Sequence, residues 1–353
     1  MSTVATGFQS ETIDAAIDAA LGGLEARMRG HGASFEALSA SMRRAASGGK
    51  RFRPALVVRA FRALDGDADS TPALLPIAVA FELLHTAFVV HDDVIDGDTV
   101  RRGEPNVSGE FRQRAHRGGA DASGAAALGD AAAILAGDLL LHEAQRMVAL
   151  SATAHEVRTR LLDLLDEAIV VSAAGELADV EQAVLALNLD VAGSLTMSRN
   201  KTAVYSFGAP LRAGAALAGA TPETDAALDR CGSRLGLAFQ LVDDLIGAFG
   251  TSLQAGRDAG SDLVTAKRTP LVALAQDTGS WPVVSGALTA ARTGPIAVRE
   301  AQRALDESGA RQRLEDLVRE LVAESRDDAA ATLPGGLPEL IDELAALIEG
   351  RIP

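Results

Sequence analysis

An apolar helical segment that ends in a cluster of carboxylates constrains this chain more than any other feature. Residues 81–103 read FELLHTAFVVHDDVIDGDTVRRG. Asp92 and Asp96 are four positions apart, so on a helix their side chains lie on one face and repel each other. Gly97 predicts a helix end, which places both carboxylates where the helix dipole disfavours negative charge. A hard cation such as Mg²⁺ would relieve that repulsion; the alternative is a solvated, frayed helix end.

The same pattern returns about 150 residues later in FQLVDDLIGAFG. Here Asp243 and Asp244 lie near the end of a helix predicted over 222–249, which begins with Pro222 after a capping Thr221. Two acid-tipped apolar helices can face each other across a bundle and bind several metal ions. The repeat therefore favours a metal site over a chance cluster of acids.

Basic residues are concentrated in an otherwise acidic chain. Residues 43–62 contain seven positive residues and no acid, and they include GGKRFRP, a glycine turn that leads into a helix at Pro54. Free amides at a helix N-terminus attract anions, so a phosphate site is predicted, with a solvated basic surface as the alternative. Lys201 lies in an apolar segment, where it either extends its amine to solvent or binds phosphate.

The charge balance excludes several classes of partner. The formal net charge is −15, which argues against nucleic acid and anionic membranes.

The single Cys231 rules out an intrachain disulfide and fits a reducing compartment. The first residues lack the basic segment of a signal peptide. The apolar run 73–90 is interrupted by Pro76, Glu82 and His85, which favours a core helix over a transmembrane segment. We expect a cytoplasmic protein.

Helical periodicity dominates and no linker divides the chain, so we predict one all-α domain over 1–353, a single large helical bundle. Aromatic residues make up only 3% of the chain, which disfavours sheet. The Gly- and Ala-rich segment 104–130 is expected to be a mobile loop that could act as a lid. Helices are predicted over 11–29, 34–47, 131–150, 154–178, 194–219 with a break at Pro210, 222–249, 262–277 and, in shorter pieces, 280–350.

Five motifs in order carry a family resemblance: GGKRFRP, HDDVIDGDTVRRG, NKTAVYSFGAP, FQLVDD and DLVTAKRTP, spanning residues 49–270. The chain resembles the trans-isoprenyl diphosphate synthases, or polyprenyl synthetase family, and within it the bacterial short-chain geranylgeranyl and farnesyl diphosphate synthases. The resemblance implies an isoprenoid synthase type of bundle around a central cavity, with Mg²⁺ held by aspartates on opposing walls. It implies head-to-tail condensation of isopentenyl diphosphate with dimethylallyl, geranyl or farnesyl diphosphate, and a homodimer.

The family's site residues carry over by position. The resemblance implies that the metal is held by Asp92, Asp93, Asp96, Asp243 and Asp244. It implies that isopentenyl diphosphate is held by Lys50, Arg53, His85 and Arg102. It implies that the allylic diphosphate is held by Arg101, Lys201, Thr202, Gln240 and Arg257. His85 could instead be a hydrogen-bonded core histidine, but it lies two turns before Asp92 on the same helix face. No side-chain base is assigned, because in this family the departing diphosphate is thought to take the proton.

Two positions depart from the family pattern, and two others bear on product length. Gly247 replaces the last Asp of the second motif, and Arg257 replaces a common Lys while keeping the charge. Ala87 and Phe88 lie one turn before the first motif and form the predicted floor of the product cavity. A single aromatic there suggests a short product, and we favour geranylgeranyl diphosphate.

Three other functions share some of these features. A class I terpene cyclase shares the acid-tipped helices but lacks GKRFRP and the arginine pair. A non-catalytic regulatory subunit of a heteromeric synthase would fit Gly247, although such subunits tend to lose first-motif aspartates. A di-iron bundle needs a Glu-x-x-His spacing that His142 and Glu143 do not supply.

Overall fold

A computed structural model describes residues 10–185, 190–255 and 259–353. Of the residues that the structure describes, 79% are helical, which confirms the all-α prediction. The helices are α1 Ser10–Met28, α2 Ala33–Ala46, α3 Phe52–Ala63, α4 Leu74–Ile95, α5 Val107–Arg117, α6 Ala122–Ala149, α7 His155–Val184, α8 Val191–Ser198, α9 Ala209–Leu217, α10 Pro222–Phe249, α11 Ser252–Ala255, α12 Ser261–Val264, α13 Pro270–Gln276, α14 Trp281–Ala290, α15 Pro295–Glu307, α16 Ala310–Thr332 and α17 Leu337–Glu349.

The helices group into two compact units. Among the described residues, one unit comprises those of 10–165 and 210–220, and the other comprises those of 166–209 and 221–353. The expectation of a single domain stays a prediction.

Helix α4 forms the core of the first unit, where it packs against α3 and α6. Ile77, Phe81 and Leu83 on α4 are completely buried. Both α4 and α6 are long and apolar enough to cross a membrane by length and composition, which is weak evidence for a span. In α4, 67% of that apolar window lies inside the protein, as expected for a core helix.

The loop predicted over 104–130 is wrong. Most of this segment is helical, in α5 and the start of α6, and only residues 118–121 separate the two. Asn106 begins α5 by accepting a hydrogen bond from the Gly109 amide, 2.9 Å away, and Asp121 begins α6 in the same way. Such caps satisfy amides that have no partner within the helix. With both helix starts capped, alanines stabilise helices here despite the glycines.

The helix predicted over 262–277 is also wrong, because it consists of two short helices, α12 and α13. Ala266 has a φ of 56°, which a continuous helix cannot contain. Pro270 begins α13 because its ring suits the first helical turn and forces the preceding Thr269 into an extended conformation.

The predicted break near Pro210 is found as a change of helix type. A π-helix, Arg199–Gly208, lies between α8 and α9 and ends two residues before Pro210. Proline supplies no amide hydrogen to the preceding turn. Wide π-helical turns occur frequently at functional sites.

Helix α10 forms the core of the second unit and begins as predicted, with Pro222 in its first turn after Thr221. The π-helix approaches it closely at two glycines. A Cβ on Gly236 would lie 2.6 Å from Ala203 Cα, and one on Gly232 would lie 2.7 Å from Gly208 Cα. Helices α16 and α17 pack on the same helix.

Candidate active site

The first acid cluster lies where the sequence predicts, at the end of α4. Asp92 and Asp93 are in the last turn, and the Asp96 amide donates to the Asp92 carbonyl oxygen at 2.8 Å. Gly97 then turns the chain with a φ of 73°. Asp96 is exposed, the Asp92 side chain is 30% exposed and Asp93 is buried. Of the three predicted metal ligands in this cluster, Asp92 and Asp96 are therefore more accessible to solvent ions than Asp93.

A short β-hairpin follows, which the sequence did not predict. Strands β1 Val100–Arg101 and β2 Glu104–Pro105 pair antiparallel across a two-residue turn. Arg102 and Gly103 in the turn have φ values of 56° and 83°, as a type I′ turn requires. Strands this short leave no alternating pattern for the sequence to reveal.

The hairpin directs Arg101 back onto the acid cluster. Its guanidinium donates two hydrogen bonds to Asp93 Oδ1, at 2.8 and 2.6 Å, and lies 3.7 Å from Asp92 Oδ2. Burial raises the pKa of Asp93 above its usual value, although the Arg101 charge opposes the shift. Asp93, a predicted metal ligand, is thus engaged by Arg101, a predicted diphosphate ligand.

The glycine turn of GGKRFRP lies against the hairpin turn. Gly48 and Gly49 have φ values of 69° and 94°, and a Cβ on either would lie 3.4 or 3.6 Å from the Arg102 guanidinium. Arg102 also donates to the Ser47 carbonyl oxygen at 3.4 Å. Two basic motifs about fifty residues apart in the chain therefore meet in this unit.

Arg51, between the predicted ligands of this motif, has a structural role. It is buried, caps α3 with a φ of 49°, and pairs with Glu82 at 2.9 Å and Asp14 at 2.6 Å. Arg51 is thus held inside the protein, whereas the predicted ligands beside it are more accessible: Lys50 is exposed and Arg53 is partly buried.

His85 lies in the field of these arginines. Burial lowers the pKa of His85 well below its usual value, and the charges of Arg53, Arg101 and Arg102 lower it further. The imidazole is therefore neutral at pH 7. A neutral ring can donate a hydrogen bond to an anion and adds no charge to an already positive cluster.

The π-helix places Lys201 in the second unit. Its Nζ lies 3.0 Å from Glu176 and 2.7 Å from Asp179, both on α7. Close approach depends on Gly175, where a Cβ would lie 2.4 Å from the Lys201 backbone nitrogen. The sequence segment GELADV thus holds Lys201, a role that sequence reasoning missed. Thr202 is partly buried on the same π-helix.

The second acid cluster has one buried and one accessible carboxylate. Burial raises the pKa of Asp244 to about 7; the Lys267 charge opposes this shift and the Asp262 charge adds to it. Gln240 donates to Asp244 Oδ1 at 3.2 Å. Asp243 is 39% exposed at its side chain. The DLVTAKRTP motif therefore lies close to the second cluster.

Asp243 has a partner that sequence reasoning missed. Arg351, the third residue from the end of the sequence, donates a hydrogen bond to Asp243 Oδ1 and lies 4.2 Å above the centre of the Phe239 ring. No local sequence pattern signals this pairing. Gly247, one turn beyond Asp243, is buried in α10. Arg257 lies outside the described residues.

The donor chemistry of both clusters fits a hard divalent cation. All candidate ligands are carboxylate oxygens, without sulfur or imidazole, as Mg²⁺ prefers. Among the described residues, no group of three or more His, Cys, Asp or Glu side chains is already placed to hold a metal ion. Mg²⁺ usually binds through one or two carboxylates together with water and substrate phosphates, so the donors present fit such an ion.

Comparison with known proteins decides the family. Residues 35–287 match the Polyprenyl synthetase family model. The chain belongs to the polyprenyl synthetase family. It is similar to geranylfarnesyl diphosphate synthase of Aeropyrum pernix, with 32% identity over 82% of this chain and 85% of the relative. It is also similar to octaprenyl diphosphate synthase of Escherichia coli K12, with 34% identity over 63% of this chain and 60% of the relative.

A solved structure agrees with this assignment. Geranylgeranyl pyrophosphate synthase from Corynebacterium glutamicum, crystallised with isoprenyl diphosphate and magnesium, has a TM-score of 0.87 and 28% identity. The match covers 97% of this chain and 98% of that chain. This polyprenyl synthetase is therefore a trans-prenyltransferase that forms a prenyl diphosphate.

Proposed function

We propose that this enzyme joins an allylic diphosphate head to tail to isopentenyl diphosphate, with Mg²⁺, and that its product is geranylgeranyl diphosphate. One observation carries the proposal: two basic motifs and a neutral His85 converge beside the acid-tipped end of α4. This arrangement offers cations and hydrogen-bond donors for a diphosphate beside carboxylates for a metal ion.

The proposed chemistry assigns separate tasks to the acids and the bases. Asp92, Asp96 and Asp243 would hold the metal, with Asp93 and Asp244 supporting them. The chemistry that a bound Mg²⁺ supplies is neutralisation of negative charge on the leaving diphosphate. Arg101 and Lys201, with Thr202, Gln240 and Arg257, would orient the allylic diphosphate and stabilise the charge that grows on its oxygens.

The second substrate is assigned to the basic cluster of the first unit, formed by Lys50, Arg53, His85 and Arg102. As the allylic C–O bond breaks, the double bond of isopentenyl diphosphate attacks the resulting carbocation. A proton then leaves the new C–C junction and passes to the departed diphosphate. Apolar side chains around the prenyl chain keep out water that would otherwise capture the cation.

Incorporation of labelled isopentenyl diphosphate tests this function. The purified enzyme with Mg²⁺ and dimethylallyl, geranyl or farnesyl diphosphate should form longer labelled prenyl diphosphates, and mass analysis of the product should show the C20 chain. A cyclic hydrocarbon without incorporated label would support the terpene cyclase alternative. Activity that appears only after a second protein is added would support a regulatory subunit.

Product length is proposed to depend on the side chains one turn before the first motif. Ala87 is completely buried, whereas Phe88 is partly buried and lies four residues before Asp92, on the same helix face. The relatives' names cover products of several lengths, so the C20 assignment depends on this position.

We expect Phe88→Ala to lengthen the product by one or more isoprene units, because truncating the ring opens space below the growing chain. Chromatography of dephosphorylated products measures this. Val89→Ala, one position around the helix, is the matched control and should leave the product unchanged. An unaltered product from the Phe88 variant would place the floor elsewhere.

A homodimer is part of the proposal. Helix α6 exposes several large apolar side chains on its surface: Leu128 (43%), Ile134 (46%) and Leu135 (53%). Contiguous exposed apolar residues are typical of protein interfaces. Sedimentation of the purified enzyme should give twice the chain mass, and sedimentation as a monomer at micromolar concentration would contradict this part.

A further inference from the structure

The last residues of the chain hold a cation against the second acid cluster. Arg351 donates to Asp243 Oδ1, and its guanidinium stacks over Phe239 at 4.2 Å. The Arg351 side chain is only 15% exposed, compared with 39% for Asp243. Stacking on an aromatic ring stabilises a guanidinium further when it is partly desolvated. None of the roles proposed above uses this arginine.

Arg351 is fixed by its surroundings rather than attached to a loose end. The segment that contains Arg351 is tied back by two hydrogen bonds: the Arg351 amide donates to the Ile348 carbonyl oxygen at 3.1 Å, and Arg311 donates to the Pro353 carbonyl oxygen at 2.8 Å. Helix α17 itself is packed through Leu344 and Ile348, both completely buried. A short segment anchored on both sides holds its arginine at low cost in conformational entropy.

The pairing places a guanidinium on an oxygen that a metal ion would need. Asp243 is the accessible carboxylate of the second cluster, and a cation that binds it must compete with Arg351 for Oδ1. At the same time Arg351 Nη1 is buried and has no hydrogen-bond partner among the described residues. A buried N–H group without an acceptor is unfavourable, so the guanidinium retains a donor for an incoming anion.

We infer that Arg351 is a substrate-positioning residue that neutralises Asp243 until metal arrives and then donates to a diphosphate oxygen. This inference rests on the proposed metal and diphosphate site. The exchange leaves every charge paired: the metal ion replaces Arg351 as the partner of Asp243, and the diphosphate replaces Asp243 as the partner of Arg351. Arg351 therefore weakens metal binding in the absence of diphosphate and strengthens diphosphate binding in the presence of metal.

Two binding measurements on full-length Arg351→Gln test the inference. Electron paramagnetic resonance of Mn²⁺, without any diphosphate, should show affinity for the metal raised roughly three- to ten-fold, as expected for removal of a partly exposed ion pair. Equilibrium dialysis of labelled inorganic pyrophosphate, at saturating Mg²⁺, should show affinity lowered by a similar factor. Simple structural damage would weaken both, so the opposite signs identify the exchange.

Three further variants complete the design. Arg351→Lys keeps the charge and should retain most of the wild-type behaviour in the metal titration. Arg319→Gln removes one positive charge from exposed α16 pairs with Glu315 and Asp316, and should change neither affinity. Asp243→Asn should lose the Mn²⁺ site that the arginine controls.

The outcomes separate the two proposals. If Asp243→Asn weakens Mn²⁺ binding relative to the wild type and Arg351→Gln matches the wild type in both titrations, the role of Arg351 is overturned and the metal site stands. If Asp243→Asn leaves Mn²⁺ binding unchanged, the assignment of Asp243 and the role of Arg351 both fail.

Discussion

Asp92→Asn is expected to lower kcat/KM by about 10²–10³-fold, the range seen when one group that stabilises transition-state charge is removed. The substitution exchanges one carboxylate oxygen for an amide nitrogen and leaves the shape of the side chain unchanged. The lost negative charge is the one proposed to hold the metal ion at the end of α4. Initial rates of isopentenyl diphosphate incorporation measure the effect.

The same substitution should not lower stability. Asp92 lies at the C-terminal end of α4, where the helix dipole opposes a carboxylate by about 0.3–1 kcal/mol, and it neighbours Asp93. The neutral amide removes both unfavourable interactions and weakens only the partly exposed 3.7 Å contact with Arg101, so we expect an unfolding temperature equal to or above that of the wild type. Inactivity together with undiminished stability distinguishes a functional carboxylate from a structural one.

Asp98→Asn is the matched control, because Asp98 lies in the same segment and is exposed. Asp98 is hydrogen bonded through its backbone: the amide donates to the Asp93 carbonyl oxygen, and its own carbonyl oxygen accepts from Asn106. This variant should stay within about twofold of wild-type activity, since ordinary surface substitutions have small effects. Equal losses at Asp92 and Asp98 would contradict a specific metal role for Asp92.

Gly175→Ala is expected to destabilise the enzyme by about 1–3 kcal/mol, the usual cost of overpacking a close contact. The new Cβ would lie 2.4 Å from the Lys201 nitrogen and 2.7 Å from the Asn200 carbonyl carbon, both backbone atoms that cannot rotate away. Helix α7 and the π-helix must then separate. Since Lys201 is held by α7 carboxylates, the Michaelis constant for the allylic substrate should also rise.

Urea unfolding followed by circular dichroism measures this change, with Gly286→Ala as the control. Gly286 lies exposed inside α14, and nothing lies within 4 Å of the Cβ it would acquire. Alanine there should stabilise the helix by about 0.5–1 kcal/mol. If both variants are equally stable, the close approach at Gly175 does not constrain the packing of the π-helix.

The parts of the site that sequence predicted are those with a local signature. The position of the acid clusters at helix ends could be predicted because apolar periodicity, paired aspartates and a following glycine or loop all occur within about twenty residues. The glycine turn before α3 could be predicted for the same reason, because its motif is contained in a few consecutive residues. The loop prediction over 104–130 was wrong because it relied on the Gly-rich composition of the segment. It overlooked two capping residues, Asn106 and Asp121, which determine where the helices begin.

By itself the sequence determined the helical class, the family motifs and the residue types available for binding metal and diphosphate, since these depend on periodicity and spacing along the chain. The tertiary structure decided the partners. It pairs Arg101 with Asp93 through a hairpin, surrounds His85 with arginines, and joins Arg351 to Asp243 across 108 positions of sequence. The physical reason is that a carboxylate pairs with whichever cation packing brings within reach, and packing is determined by contacts between helices far apart in the chain.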